Sequence, residues 1–294
     1  MVTAASPSVP PPIPPLDPQR FAPRAGWPVR AKLRVLRASS RVESHRHDWA
    51  QVSFSLTGVS RVVTGQMTCI VPPTRAVWIP PRIEHSVAVL RDAEMLTLYL
   101  HRPPGDEPHW QRCRVVEVSR LLAELVRQTA QDDPAQAGPA ALPATLPPRA
   151  RAMADLIVDE LLRARPLPLG IALPQDKRLR ALCQALLDEP TRHERLEDWA
   201  TGTGASPRTI ARLFREELGT SFQQWRQQVL LARALVLATE GRPMGVIAAE
   251  LGYASPSAFS AMVTRTVGMA PGRFFAPGGA AAGVGLSAAA SPPR

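Results

Sequence analysis

The chain has 294 residues, 45% of them hydrophobic and 20% charged, which is more than one small core can use, so two domains are expected. Its net charge of +10 tolerates anionic partners without singling one out: residues 1–128 hold 17 Lys+Arg against 10 Asp+Glu, and residues 193–275 hold 9 against 7. Cys69, Cys113 and Cys183 are scattered, which argues against a zinc finger or a disulfide framework and leaves each as a small buried hydrophobe.

The N-terminus has no basic segment followed by an apolar one, and no run reaches the ~20 apolar residues of a membrane span. A cytoplasmic chain without a membrane partner is therefore expected. Nine prolines fall within residues 1–28, so that stretch reads as a disordered, polyproline-like arm. Residues 29–115 are strand-like. Gln51 to Leu56 alternates strictly, placing Val52, Phe54 and Leu56 on one face. Shorter runs follow at Val59 to Thr64, Met67 to Val71, Ala76 to Ile79, Ser86 to Leu90 and Met95 to Leu100, punctuated by Gly58, Gly65 and paired prolines. Short strands at such intervals predict a small β-barrel or sandwich.

Within it lies the pattern His45-x-His47, Gln51, Gly58 and Pro80 to His85. It resembles the two cupin motifs, in which two histidines, a glutamate and a third histidine converge on a metal inside a barrel. Here Gln51 stands in the glutamate's place, and Arg82 in a usual glycine's. Three neutral imidazoles can still bind Zn²⁺, Ni²⁺ or Fe²⁺, whereas loss of the carboxylate disfavours catalysis. Two further readings stand beside a divalent metal: a metal-free effector pocket, and ordinary polar residues at the barrel mouth. Trp49 and Trp78 read as core or pocket wall.

Residues 116–172 change to helical spacing, with Leu121, Leu122, Leu125 and Val126, then Met153, Leu156, Ile157 and Leu161. A Pro/Ala/Gly-rich hinge at residues 131–148 separates them, and Pro168 and Pro174 mark a linker. These two helices are the candidates for a homodimer contact.

Residues 173–276 read as wholly helical, and residues 277–294 as a disordered tail. A helix–turn–helix phrase occurs twice here. Ala205-Ser206-Pro207 is echoed by Ala254-Ser255-Pro256, Ile210 by Phe259, Leu213 by Met262 and Gly219 by Gly268. Ser206 and Ser255 predict N-caps, Pro207 and Pro256 first helical positions, and Gly219 and Gly268 left-handed stops. Arg208, Arg212 and Arg215, with Thr209, then lie outward on the first reader, opposite Ile210, Leu213 and Phe214. The second presents Ser257, Ser260, Ala261 and Thr264, with Arg265 beside them. Between the readers, Phe222, Trp225, Val229, Ala232 and Val236 predict one amphipathic helix from Ser221 to Thr239, roughly 28 Å long. Successive major-groove openings lie about 34 Å apart, so such a rod can hold both readers on one duplex face.

The pieces S-P-R-T-I-A-R-L-F-R-E-E-L-G, I-A-A-E-L-G-Y-A-S-P-S-A-F-S and G-M-A-P-G-R-F occur in that order. Residues 173–275 thereby resemble the DNA-binding domain of AraC/XylS-type bacterial transcription regulators. The resemblance implies base contacts from Arg208 and Arg212 in the first reader and from Ser257 and Ala261 in the second. Ala261 replaces a frequent arginine and Val263 a usual phenylalanine. The expected fold is α+β, a cupin-like β-barrel followed by an all-α domain with two helix–turn–helix motifs. The expected function is effector-controlled transcription, with promoter DNA, a small effector, RNA polymerase and a second copy of the chain as partner classes. The alternatives are a cupin metalloenzyme with an appended DNA-binding domain and a constitutive DNA-binding dimer.

Overall fold

The computed structural model describes residues 12–15, 17–73, 75–134 and 145–275. A short helix α1 (Pro18–Phe21) precedes β1 (Val29–Leu36), β2 (Arg41–His45), β3 (Ala50–Thr64), β4 (Met67–Val71), β5 (Arg75–Ile79) and β6 (His85–Leu100). A 3-10 turn at Pro108–Gln111 leads to β7 (Arg114–Glu117), α2 (Arg120–Asp132), α3 (Pro148–Arg163), β8 (Pro166–Leu167) and β9 (Gly170–Ala172). The remainder is helical: α4 (Lys177–Asp188), α5 (Leu196–Ala200), α6 (Pro207–Leu218), α7 (Phe222–Thr239), α8 (Met244–Glu250), α9 (Pro256–Val267) and α10 (Pro271–Phe274).

The strands form one antiparallel sheet in the order β1-β6-β3-β5-β7-β8, with β2 added to β6, β4 to β3 and β9 to β4. The hydrogen-bonded path does not return to β1, so the expected barrel is a sheet left open. Leu36, Val62, Val77, Val87 and Met95 meet in one core, while Val52, Phe54, Trp78, Leu96 and Leu98 pack with α2 and α3 in another. Both faces are thus covered, which explains why β5 is buried along its whole length.

Two pairs of expected strands prove to be single long ones. Gly58 adopts φ +73° in the middle of β3, and a Cβ there would lie 2.0 Å from the Asp92 carbonyl oxygen of β6. The glycine lets β3 bend through shifted registers instead of ending. Likewise β6 runs unbroken through Arg91 to Glu94.

The expected disordered arm is built into the fold where it is described. Ile13 bridges Val42, and Phe21 and Trp27 are buried. These side chains add the apolar area that the proline count obscured. Residues 1–11, most of the expected hinge (135–144) and the expected tail lie outside the described residues.

The stretch read as a linker also carries structure. β8 pairs with β7, β9 pairs with β4, and the Leu173 amide donates to the Gln66 carbonyl at 2.8 Å. Strands of two and three residues are too short to show a period. They stitch the start of the helical half onto the sheet.

The connector α7 is buried on more than one side. Trp225, Val229, Ala232 and Val236 join the core of the first helix–turn–helix, whereas Leu230, Leu231, Ala234 and Leu237 join that of the second. The expected amphipathic rod is instead a shared spine, apolar nearly all round because it has a core on either flank. It also touches β3, β4 and β9, so the sensor sheet lies directly against it.

Candidate nucleic-acid interface and sensor chamber

Local chemistry delimits each reader. The Ser206 hydroxyl accepts from the Thr209 amide and the Ser255 hydroxyl from the Ala258 amide, both at 3.2 Å. Pro207 and Pro256 occupy the first turn, where a missing N–H leaves nothing unpaired. Gly219 (φ +62°) and Gly268 (φ +71°) close both helices in the left-handed region.

Burial then sorts the faces. Ile210, Leu213 and Phe214 are buried on α6, as are Phe259, Met262 and Val263 on α9. Arg208, Arg212 and Arg215 are exposed, with Thr209 half-buried. On α9, Ser257, Ala261, Thr264 and Arg265 are exposed and Ser260 is half-buried. Neither reader's outward face is covered by the sensor domain. Arg212 is held by Glu216 one turn on, at 2.6 Å. In the second reader Val263 fills a fully buried position, so its departure from phenylalanine is a matter of packing.

The sheet domain gathers the three expected histidines. Their ligand nitrogens all lie within 4.8 Å of one another. Each ring is oriented through Nδ1: His45 toward the Glu43 carbonyl at 2.8 Å, His47 toward Trp49 at 2.7 Å and His85 toward Ile83 at 2.9 Å. A carbonyl only accepts, so every Nδ1 carries a proton, and His45 and His85, whose charged forms burial disfavours, keep a lone pair on Nε2. That is the arrangement in which backbone partners present imidazoles to a metal. The His85 Nε2 is buried and has no hydrogen-bond partner. Burial pushes the His85 imidazole down to about 3, against its Ile83 hydrogen bond, with the neighbouring His45 and His47 adding to the fall. Burial lowers His45 as well.

The Gln51 side-chain oxygen stands 2.9 Å from His47 Nε2. Trp49 stacks flat on His47 with centroids 4.8 Å apart, making it a chamber wall, while Trp78 is core and donates to the Trp110 carbonyl at 3.0 Å. The residues present therefore fit a divalent ion.

Sequence reasoning missed the other chamber residues. Arg34 of β1, Ser53 of β3, and Thr97 and Tyr99 of β6 line the space beside His45 and Gln51. Gln51, Ser53 and Ser55 alternate with the recognised apolar face and are equally buried. No period in the sequence marks them, because the fold decides that this polar face is buried.

A second cavity lies between the domains, about 960 Å³ in volume, lined by Arg61 and Arg91 from the sheet and by Arg233, Glu240, Arg242 and Glu250 from the helical half.

Two family models match the chain: an AraC-like ligand binding domain over residues 34–163 and a helix-turn-helix domain over residues 199–276. The chain is similar to the HTH-type transcriptional regulator NimR of Escherichia coli (strain K12), 30% identical over 232 residues, which are 79% of this chain and 81% of that protein. It is also similar to the arabinose operon regulatory protein of Salmonella typhimurium, 29% identical over 34% of this chain and 37% of that one. Among solved structures, fatty-acid-bound ToxT from Vibrio cholerae aligns over 84% of this chain and 95% of its own, at 11% identity and a TM-score of 0.35.

Proposed function

The chain belongs to the AraC-type family of transcription regulators, with a ligand-binding domain followed by a helix-turn-helix DNA-binding domain, and on that premise we propose how its own residues divide the work. Arg208, Thr209, Arg212 and Arg215 read bases and phosphates in one major-groove segment. Ser257, Ser260, Ala261, Thr264 and Arg265 sit in the next, where hydroxyls and a methyl give weaker discrimination than guanidinium groups. The observation that carries this reading is the shared spine: α7 belongs to both reader cores, so the two exposed faces are held in one rigid relationship.

His45, His47 and His85 would hold a divalent ion through Nε2, with Gln51 beside it. Bound there, the ion supplies a Lewis-acidic positive charge for an oxygen-bearing effector. The effector acts by changing how the sheet sits on α7, a shift of population between two presentations of the readers. Regulation instead of catalysis is supported by the relatives, which are regulators.

α2 and α3 carry Leu121, Leu156 and Leu162 on exposed positions, 50%, 46% and 49% accessible. We assign that surface to a second copy of the chain. Among the described residues no helix is long and apolar enough to cross a membrane.

Footprinting of the full chain on its genomic binding fragments tests the main reading. Two protected segments, centred about one helical turn apart, are expected. A single protected segment, or none, overturns it.

A further inference from the structure

Along α7, Arg226, Leu230, Arg233 and Leu237 recur at helical spacing and share one face. Leu230 and Leu237 belong to the core of the second reader, so that face is the one turned toward it. Arg233 meets Glu250 of α8 at 3.8 Å. Arg226, nearer the start of the helix, has no carboxylate partner among the described residues. Its Nε is buried and unmatched, while the residue as a whole is half-buried. Packing of the stem, and not an ion pair, therefore holds this guanidinium. Its charge is left uncompensated, which is unfavourable unless an anion completes it.

The other side of the same seam belongs to the second reader. Tyr253, in the turn between α8 and α9, is half-buried and packs edge-on against Phe259 with centroids 5.3 Å apart. Burial pushes its hydroxyl up, Arg226 and Arg265 both act against that rise, and Glu194 adds to it. One guanidinium from the spine and one from α9 thus act on a single hydroxyl. Arg265 is exposed beside the reader face and, like Arg226, has no ion pair among the described residues. Two cations against one carboxylate leave a surplus of positive charge at the seam.

We infer that Arg226, Tyr253 and Arg265 form a phosphate site for the DNA strand that passes between the two major-groove segments. This rests on the assignment of α6 and α9 as readers. Two readers on one duplex face leave the intervening minor groove, rimmed by backbone phosphates, against the element that joins them, and α7 is that element. A phosphate accepts from guanidinium N–H groups and from a phenolic O–H, the donors that converge here, and it brings the negative charge that the seam lacks. A guanidinium pinned by a buried stem does not extend to base edges, so the contact sets register and affinity without sequence preference.

Titration of the full chain on one of its genomic binding fragments and on an unrelated duplex, from about 50 to 200 mM salt, tests the inference. Arg226→Gln should flatten the slope of log affinity against log salt by about one. At low salt it should weaken binding to both duplexes by the same factor, on the order of tenfold. Arg226→Lys should keep the slope, and Arg226→Gln combined with Arg265→Gln should flatten it by about two. Tyr253→Phe removes a donor and no charge, so affinity should fall severalfold with the slope unchanged. A loss from Arg226→Gln that is equal at every salt concentration means that Arg226 only packs, and overturns the inference. A loss confined to the genomic fragment overturns it as well. If Arg212→Ala weakens specific binding while Arg226→Gln keeps the parent slope, the readers stand and the phosphate site falls. If Arg226→Gln flattens the slope and Arg212→Ala changes nothing, the phosphate site stands and the reader assignment falls.

Discussion

Arg91 of the sensor sheet is ion-paired with Glu240, the residue that caps the C-terminus of the spine helix. Glu240 also takes Arg242 at 3.1 Å, Arg242 reaches Glu250 of α8 at 2.8 Å, and Glu250 lies 3.8 Å from Arg233. One chain of alternating charge thus runs from β6 to the second reader. Burial pushes the Glu240 carboxyl up, but the Arg91 and Arg242 hydrogen bonds outweigh it and hold it below its usual range.

Breaking this chain should uncouple the domains more than it destabilises them. Arg91 is half exposed, so a double-mutant cycle of Arg91→Ala and Glu240→Gln should give a coupling of only about 0.2–1 kcal/mol in unfolding. The effector-dependent change in promoter affinity should shrink by a larger factor in either variant. An unaltered effector response would remove the pair from the communication route.

Arg212 is pre-engaged before it meets DNA. Its pair with Glu216 positions the guanidinium, and under the proposed reading that pair opens as the fork meets a guanine. Arg212→Ala should weaken specific binding by about 1–3 kcal/mol in footprint titrations. Glu216→Gln should tighten it by about twofold, because an exposed i,i+4 pair of about 0.3–0.5 kcal/mol no longer competes. Equal affinities for all three proteins would take α6 out of the reading role.

The two readers were legible because everything that bounds them is local. Ser206, Pro207 and Gly219 specify a helix start and stop without any distant contact, and so do Ser255, Pro256 and Gly268. The histidine triad was legible because its motif is sequential, although His85 reaches the others only by strand pairing with His45. The chamber was not. Arg34 lies far in sequence from Thr97 and Tyr99, and the pairing of β1 with β6, Arg34 opposite Met95, puts them on the lining of one chamber. The alternation puts Ser53 on the face opposite Val52 and Phe54, and the fold buries both faces. Topology, not period, decides which polar face is wet. The same blindness made α7 look amphipathic: Leu230, Leu231 and Leu237 have a core to enter only once the second reader has folded back on the helix.

Acid should loosen the first reader's support at α4. Asp176 caps α4 by accepting from the Arg178 and Leu179 amides and pairs with Arg178 at 3.0 Å. The Arg178 side-chain hydrogen bond, aided by the amide bonds, pulls its carboxyl down to about 2. A depressed carboxyl contributes stability above its unfolded pKa of about 3.9 and loses it as pH falls through the folded one. Asp176→Asn keeps a capping oxygen without the charge. It should therefore melt below the parent at neutral pH, and the two should converge near pH 2. Parallel melting curves at both pH values would contradict this assignment.

The proposed contact between two copies of the chain rests on exposed leucines of α2 and α3. Burying about 25 cal/mol per Å² of apolar surface favours association only if the face remains apolar. Leu121→Glu with Leu156→Glu places two charges where a partner helix would pack, at positions that are solvent-exposed in the single chain. Sedimentation should give a dimer for the parent and a monomer for the double variant, with the Tm of the single chain little changed. A parent that sediments as a monomer at promoter-binding concentrations would leave this face without its assigned partner.

Trp225 links the spine to the sensor by one directed bond. It is fully buried in the first reader's core, packs edge-on against Phe214 with centroids 5.8 Å apart, and donates its indole N–H to the Ala172 carbonyl of β9 at 2.7 Å. Trp225→Phe keeps an aromatic ring and removes that donor. Losing this half-buried hydrogen bond costs about 0.5–1.5 kcal/mol, and the smaller ring leaves a void that adds to the loss. Urea unfolding of the full chain should register at least that deficit. β9 is only three residues long and is held on its other side by β4 alone, so the loss should concentrate at the seam between the domains. Hydrogen exchange at residues 170–173 should accelerate more than exchange in α9, whose core does not include Trp225. Uniform acceleration across both would mean that Trp225 stabilises the helical half as a whole and does not act as the domain link.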